Sequence, residues 1–208
     1  IEEGFLAKRF ANHYAATKYL AEKEIASLVS LFPGTCFQII RPRGLFGRYD
    51  TVILPRILAL LNDYNGKLPL PGGGQALLDL TYSGNVVHAM HLASVVPDLP
   101  SGEIYNITNN EPARLIDMLD RLLKEMGRDY TVRNIPYPLL YGVSSLMEAA
   151  SVLTKREPKL TRYSIAVLYY DMTLDIRKAA DMLGYKPVYS LDEGIQLTAQ
   201  YFKEAGLG

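Results

Sequence analysis

Hydrophobic positions along the chain recur at two periods, and the changes of period mark its elements. A stretch rich in Ala, Leu, Glu and Lys opens at Asn12 and continues until Pro33 and Gly34 stop it, which predicts a long helix. Residues 35–41 (TCFQIIR) form a short apolar, β-branched run, read as a buried parallel strand closed by Pro42. Helical spacing returns over 52–61, and Asn65-Gly66 reads as a turn. The glycines at 72–74 read as a hairpin turn, and a helix follows with Ser83 or Asn85 as its cap.

Beyond that helix, 103–108 (EIYNIT) is a strand pattern, and 113–126 is a helix striped by Leu115, Leu119, Leu122 and Met126 and ended by Gly127. Residues 137–153 are the most apolar run. They are read as packing in the core, ahead of facing an apolar substrate or a membrane surface. Arg162 and Tyr163 open a β-branched and aromatic run. Asp175 then caps a helix stopped by Gly184, and Ser190 with Glu193 forms a capping box for the last one.

Composition narrows the classes. A chain of 208 residues with 49% apolar and 21% charged residues is globular and long enough for a large core. A formal net charge of +0 gives no global field for nucleic acid or anionic lipid. The single cysteine, Cys36, builds no disulfide framework, and no apolar run reaches the length of a membrane span. The reading is a soluble, cytoplasmic protein. His88 and His91 stand i, i+3 on one helix with no third ligand spaced nearby, so no metal site is assigned. No internal repeat or low-complexity linker occurs.

The chemistry lies in the first helix. Tyr14 and Lys18 are i and i+4, so phenol and ammonium share one helix face. A phenol with a pKa of about 10 exchanges protons poorly near neutrality, and a neighbouring cation lowers that value. Tyr-x-x-x-Lys alone also arises by chance in helices. Set within HYAATKYLAEKEI, followed by a strand into IIRPRGLFG and by the tail D-x-x-K-A…L-G-Y-x-P…S-L-x-E-G, it resembles the extended short-chain dehydrogenase/reductases. Among these, the 3β-hydroxysteroid dehydrogenase-type and NAD-dependent epimerase/dehydratase members are most similar.

That resemblance implies an α/β fold: the C-terminal part of a Rossmann-type, doubly wound parallel sheet plus a small mixed α/β substrate-binding lobe. Residues 1–108 would form the sheet part with interleaved lobe segments, and 109–208 mainly the lobe and closing helices. It implies that Tyr14 is the proton donor/acceptor, that Lys18 lowers its pKa and binds the nicotinamide ribose, and that Pro42, Arg43, Gly44 and Leu45 line the nicotinamide. Many members carry Asn where this chain has Gly44. Arg43 and Arg162 are the candidate substrate contacts, and Arg162 reads equally as a solvated surface arginine. The cofactor would be NAD or NADP. The expected partners are a small-molecule substrate and a second copy in a homodimer, with no nucleic acid and no membrane span.

No glycine fingerprint for the dinucleotide pyrophosphate occurs in the chain. The chain therefore reads as the C-terminal portion of a longer oxidoreductase, inactive alone. The substrate expected is of sterol, steroid or keto-acid type. Few cations near the 137–170 region beyond Lys155, Arg156, Lys159 and Arg162 stand ready to read phosphate. A nucleotide-sugar epimerase/dehydratase, or a non-enzymatic Rossmann-like regulator, is the alternative.

Overall fold

The computed structural model describes residues 13–155, 158 and 160–206. Asn12, Arg156 and Lys159 of the sequence reading lie outside them. The elements run α1 (His13–Leu31), β1 (Gln38–Pro42), β2 (Leu45–Phe46), α2 (Ile53–Asp63) and β3 (Lys67–Pro71). A 3-10 turn at Gly72–Gly74 leads to β4 (Leu77–Leu78), β5 (Thr81–Tyr82), α3 (Ser83–Val95), β6 (Glu103–Ile107) and β7 (Ala113–Arg114). Then come α4 (Leu115–Glu125), β8 (Thr131–Ile135), α5 (Tyr137–Thr154), α6 (Arg162–Tyr169), α7 (Arg177–Leu183) and α8 (Leu191–Glu204).

The strand predicted from residue 35 begins at Gln38 and pairs in parallel with β6, from Gln38 opposite Glu103 to Pro42 opposite Ile107. Parallel neighbours need both faces covered. On this pair Ala89 of α3 and Ala179 of α7 are small enough to let their helices close on fully buried Tyr105 and Ile107. A second core gathers Leu54, Leu58 and Leu61 of α2, Leu68 and Leu70 of β3, and the inner faces of α4 and α8. The stripe on α4 is deeper than predicted, because Met118 and Leu123 are buried beside Leu115, Leu119 and Met126.

Four readings change. Gly72–Gly74 does not make a hairpin: β3 pairs in parallel with β8, so the chain crosses to β4 instead of turning back on itself. α4 starts at Leu115 because Ala113 and Arg114 pair antiparallel with Leu78 and Leu77. The cap readings shift: neither Ser83 nor Asn85 caps α3, whose N-cap is Tyr82 with no side-chain cap bond, and the N-cap of α7 is Ile176, with Asp175 one residue earlier accepting from Arg177 N–H. The run 137–153 is not core; α5 buries Leu140 and Ser144 while Leu139, Val143, Leu146 and Leu153 stay exposed. By contrast, Gly184 ends α7 with a left-handed φ of 67°, and the Ser190–Glu193 capping box is in place on α8. A second box, Thr161 with Ser164 on α6, escaped the sequence reading.

Asn85 has a different task. Its Nδ2 donates to Asn109 Oδ1 (2.9 Å) and to Tyr189 O (2.8 Å), and its Oδ1 accepts from the N–H groups of Val188 and Tyr189. Asn109 Oδ1 also accepts from Tyr82 N–H. This buried knot ties α3, the segment after β6 and the approach to α8 together.

Candidate active site

α1 presents Tyr14 and Lys18 on one face, with Lys18 Nζ over the Tyr14 ring at 5.6 Å from its centroid. Tyr14 is 64% exposed, and α1 buries none of its described residues. Two contacts orient the helix. Arg41, near the end of β1, donates from Nε to Glu22 Oε1 at 2.7 Å and from Nη2 to Oε2. At the other end Val29 lies within 3.2 Å of where a Cβ on Gly102 would stand, beside the start of β6. The helix therefore runs antiparallel to β1. At 1.5 Å per residue, Lys18 and Tyr14 lie about 6 and 12 Å further along the axis than Glu22, beyond the carboxyl end of the strand. Ligands of open parallel sheets bind at that end.

The loop leaving β1 occupies the same end. Arg43 N–H lies 3.3 Å from Ile107 O and 3.2 Å from Thr81 Oγ1, and the buried Thr81 hydroxyl donates to Arg43 O at 2.5 Å. Gly44 has φ +53°, and a Cβ there would meet Leu80 Cδ2 at 2.4 Å and Asp79 O at 3.2 Å. Glycine answers both demands, the left-handed backbone and the close packing. Leu45 is exposed and Phe46 buried, so the loop shows one apolar side chain outward and anchors with the next.

Behind the loop lies a group that sequence reasoning missed. Asp79 is 2% exposed; its Oδ2 accepts from Leu174 N–H at 2.8 Å, while its Oδ1 is buried without a hydrogen-bond partner. Burial raises the Asp79 carboxyl above the usual range, against the Leu174 N–H and the Arg43 charge. Arg43 Nε is likewise buried and unpartnered. Burial lowers Arg43 below the usual guanidinium range, against the opposing pull of Tyr163 on α6 and of Asp79. The available signal was an aspartate inside the apolar run ALLDLTY, a polar residue where the pattern asks for core.

Arg162 sits apart from this group in its bonding. Its N–H and Nε donate to Glu148 Oε1 and Oε2 at 2.7 and 2.6 Å, and its side chain is 54% exposed. Four tyrosines, Tyr137 and Tyr141 on α5 with Tyr169 and Tyr170 at the end of α6, form an aromatic cluster in which Tyr137 stacks on Tyr169 at 4.4 Å. Tyr169 also lies within 3.1 Å of where a Gly72 Cβ would stand. Among the described residues, no three His, Cys, Asp or Glu side chains converge, and no helix is long and apolar enough to cross a membrane.

Comparison with known proteins places these elements. The profile of the 3-beta hydroxysteroid dehydrogenase/isomerase family matches residues 2–138. An uncharacterized protein of Escherichia coli is 43% identical over 99% of the chain and 61% of its own length. A 2-alkyl-3-oxoalkanoate reductase of Shewanella oneidensis is 30% identical over 91% of the chain and 51% of its own. A decarboxylating sterol-4-alpha-carboxylate 3-dehydrogenase of Mus musculus is 28% identical over 92% of the chain and 54% of its own. The chain thus spans about half to three-fifths of these relatives. The solved structure of a UDP-glucuronic acid 4-epimerase from Bacillus cereus with NAD matches 99% of the chain and 56% of its own, with a TM-score of 0.69 at 21% identity. That likeness gives the fold: the α/β, Rossmann-type architecture with parallel strand pairs.

Proposed function

The chain belongs to the 3-beta hydroxysteroid dehydrogenase/isomerase family, and on that footing we propose that it is the proton-transferring and substrate-binding part of an NAD(P)-dependent oxidoreductase acting on a CH–OH or C=O group. The observation that carries the reading is the pairing of Tyr14 with Lys18 on a helix that extends past the carboxyl end of β1, beside the 42–45 loop.

The residues present suit the nicotinamide-ribose end of the cofactor. Gly44 keeps the loop backbone bare of a Cβ, and Lys18 offers an ammonium one helical turn from the phenol. When bound, the nicotinamide supplies the acceptor or donor of hydride. In oxidation, Tyr14 Oη as phenolate takes the hydroxyl proton while the C–O bond becomes a carbonyl; in reduction it returns that proton to the new alkoxide. Lys18, with its ammonium 5.6 Å from the Tyr14 ring centroid, has donors to offer the ribose hydroxyls. Pro42, Arg43, Gly44 and Leu45 orient the ring, and Arg43 and Arg162 are substrate contacts. The chain alone, without a glycine turn for the pyrophosphate, is inactive.

For the substrate we favour a sterol- or keto-acid-type molecule. The tyrosine cluster of α5 and α6 offers aromatic faces rather than phosphate-reading cations, and the two relatives with named activities act on a 3-oxoalkanoate and a sterol carboxylate. The likeness to the epimerase is one of fold and says nothing of substrate. The test is turnover by the full-length protein with NAD(P)H and a panel of 3-oxo acids and 3-ketosteroids. Reduction of one class, lost at least a hundredfold in Tyr14→Phe, is the expected result. Turnover within tenfold of the parent in that variant would overturn the assignment.

A further inference from the structure

Resting on the reading that the 42–45 loop meets the nicotinamide, we propose that Thr81 is a positioning residue. Its buried hydroxyl turns the Arg43–Gly44 peptide so that the Gly44 N–H is offered to the carboxamide oxygen of the nicotinamide.

Thr81 stands on β5 and is 0% exposed. A threonine hydroxyl carries one donor and two acceptor sites. Here Oγ1 donates to Arg43 O at 2.5 Å, accepts from Arg43 N–H at 3.2 Å and lies 3.1 Å from Ile107 O. The Thr81 N–H donates to Gly44 O at 3.2 Å. One residue thus holds three backbone groups of the loop: Arg43 N–H, Arg43 O and Gly44 O. Successive carbonyls of an extended strand point to opposite sides. Two in a row face the same neighbour here because Gly44, at φ +53°, leaves the extended region.

That arrangement fixes where the next donor points. No cis peptide bond occurs among the described residues, and the C=O and N–H of a trans peptide point in opposite directions. With Arg43 O drawn in to the buried hydroxyl, the Gly44 N–H of the same peptide faces the other way, out from the sheet. Gly44 is partly exposed, and its N–H has no hydrogen-bond partner among the described residues. A Cβ on Gly44 would run into Leu80 and Asp79 O, so the inner side is already filled. An N–H left in this state at the carboxyl end of a parallel strand suits a carbonyl of the ligand.

Packing alone does not ask for the hydroxyl, since valine has nearly the same shape and sits as well in a strand. Nor does strand pairing. In Thr81→Val the Arg43 N–H keeps Ile107 O, 3.3 Å away, and the residue 81 N–H keeps Gly44 O. What is lost is the bond to Arg43 O that orients the next peptide.

The experiment titrates the full-length protein, as parent, Thr81→Val and Thr81→Ser, with NAD(P) and with ADP-ribose (its 2′-phosphate where the cofactor is NADP). ADP-ribose has the adenosine, pyrophosphate and second ribose of the cofactor and lacks the nicotinamide. Thr81→Val should weaken NAD(P) at least about fivefold and ADP-ribose less than about twofold, and Thr81→Ser should restore NAD(P) to within about twofold of the parent. Equal losses for both ligands, an NAD(P) affinity unmoved in Thr81→Val, or no restoration by serine would each overturn the proposal. A second measurement needs no variant. The parent should bind the dinucleotide carrying pyridine in place of nicotinamide at least about fivefold more weakly than NAD(P), and equal affinity would overturn the proposal. Failure of the oxidoreductase reading looks different: a parent that binds neither NAD(P) nor ADP-ribose removes both. Loss of turnover in Tyr14→Phe with NAD(P) affinity unmoved in Thr81→Val leaves that reading standing and removes this one.

Discussion

Two helices of the chain make opposite use of their sequence. α8 is tied at its start by a capping box and buries Leu191, Gly194, Ile195, Thr198, Ala199 and Phe202. α1 is longer and buries none of its described residues. It is held to the sheet by Glu22 on Arg41 and by the approach of Val29 to Gly102. The difference separates two kinds of information. α8 records what this core needs to stand, while α1 meets the sheet at a few points and leaves exposed the phenol and ammonium that we propose for proton transfer.

Substitutions on the two helices should therefore fail in different assays. Tyr14→Phe in the full-length protein is expected to cost on the order of a thousandfold in turnover, with the urea midpoint unmoved because the side chain is largely exposed. Phe202→Ala, at a site 1% exposed, should cost about 3–5 kcal/mol of stability in urea unfolding and leave the catalytic pH profile of the folded fraction unchanged. A stability loss from the first, or an altered pH profile from the second, would erase the contrast.

Smaller effects sharpen it. Asn85→Ala leaves the N–H groups of Val188 and Tyr189 without their acceptor and takes one donor each from Asn109 Oδ1 and Tyr189 O, and should cost about 2–3 kcal/mol in the same unfolding assay. Alkaline pH acts on the packed part of the molecule. Burial raises Tyr185, whose hydroxyl donates to Thr108 O, well above the usual phenol range. Tyr130, partly buried and beside Asp120, is raised to about 12. Raised phenols bind protons in the native state that the unfolded chain has already released. Their stabilisation is therefore complete below a pH of about 10 and is lost as pH rises through the folded values. Unfolding free energy should be flat up to about pH 10 and fall above it, with a shallower fall in Tyr185→Phe. A parent curve that stays flat to pH 12 would contradict the burial argument.

What the sequence made legible was local. The i, i+4 spacing of Tyr14 and Lys18, the Ser190–Glu193 box, the Gly184 stop and the β1 run each depend on residues within a few positions of one another. What it hid depends on distant partners. Asn85 looks like a cap from its place at a helix start, but its hydrogen bonds go to residues 24 and 104 positions away. The three glycines after β3 look like a hairpin until the parallel partner, β8, is known. The apolar spacing of α5 is the same whether its face is covered or exposed, so periodicity could not show that Leu146 and Leu153 lie open. Asp79 broke the apolar pattern in plain view, yet its meaning needed Arg43 and Leu174 beside it.

If Tyr14 and Lys18 work as one unit, as proposed, their losses must not multiply. The measurement that decides this most directly is a double-mutant cycle on kcat/KM for alcohol oxidation by the full-length protein, with Tyr14→Phe, Lys18→Ala and the double variant. Each single variant should lose at least about a hundredfold, and the double variant little more than Tyr14→Phe alone. A double variant that falls by the product of the two single losses would contradict the pairing.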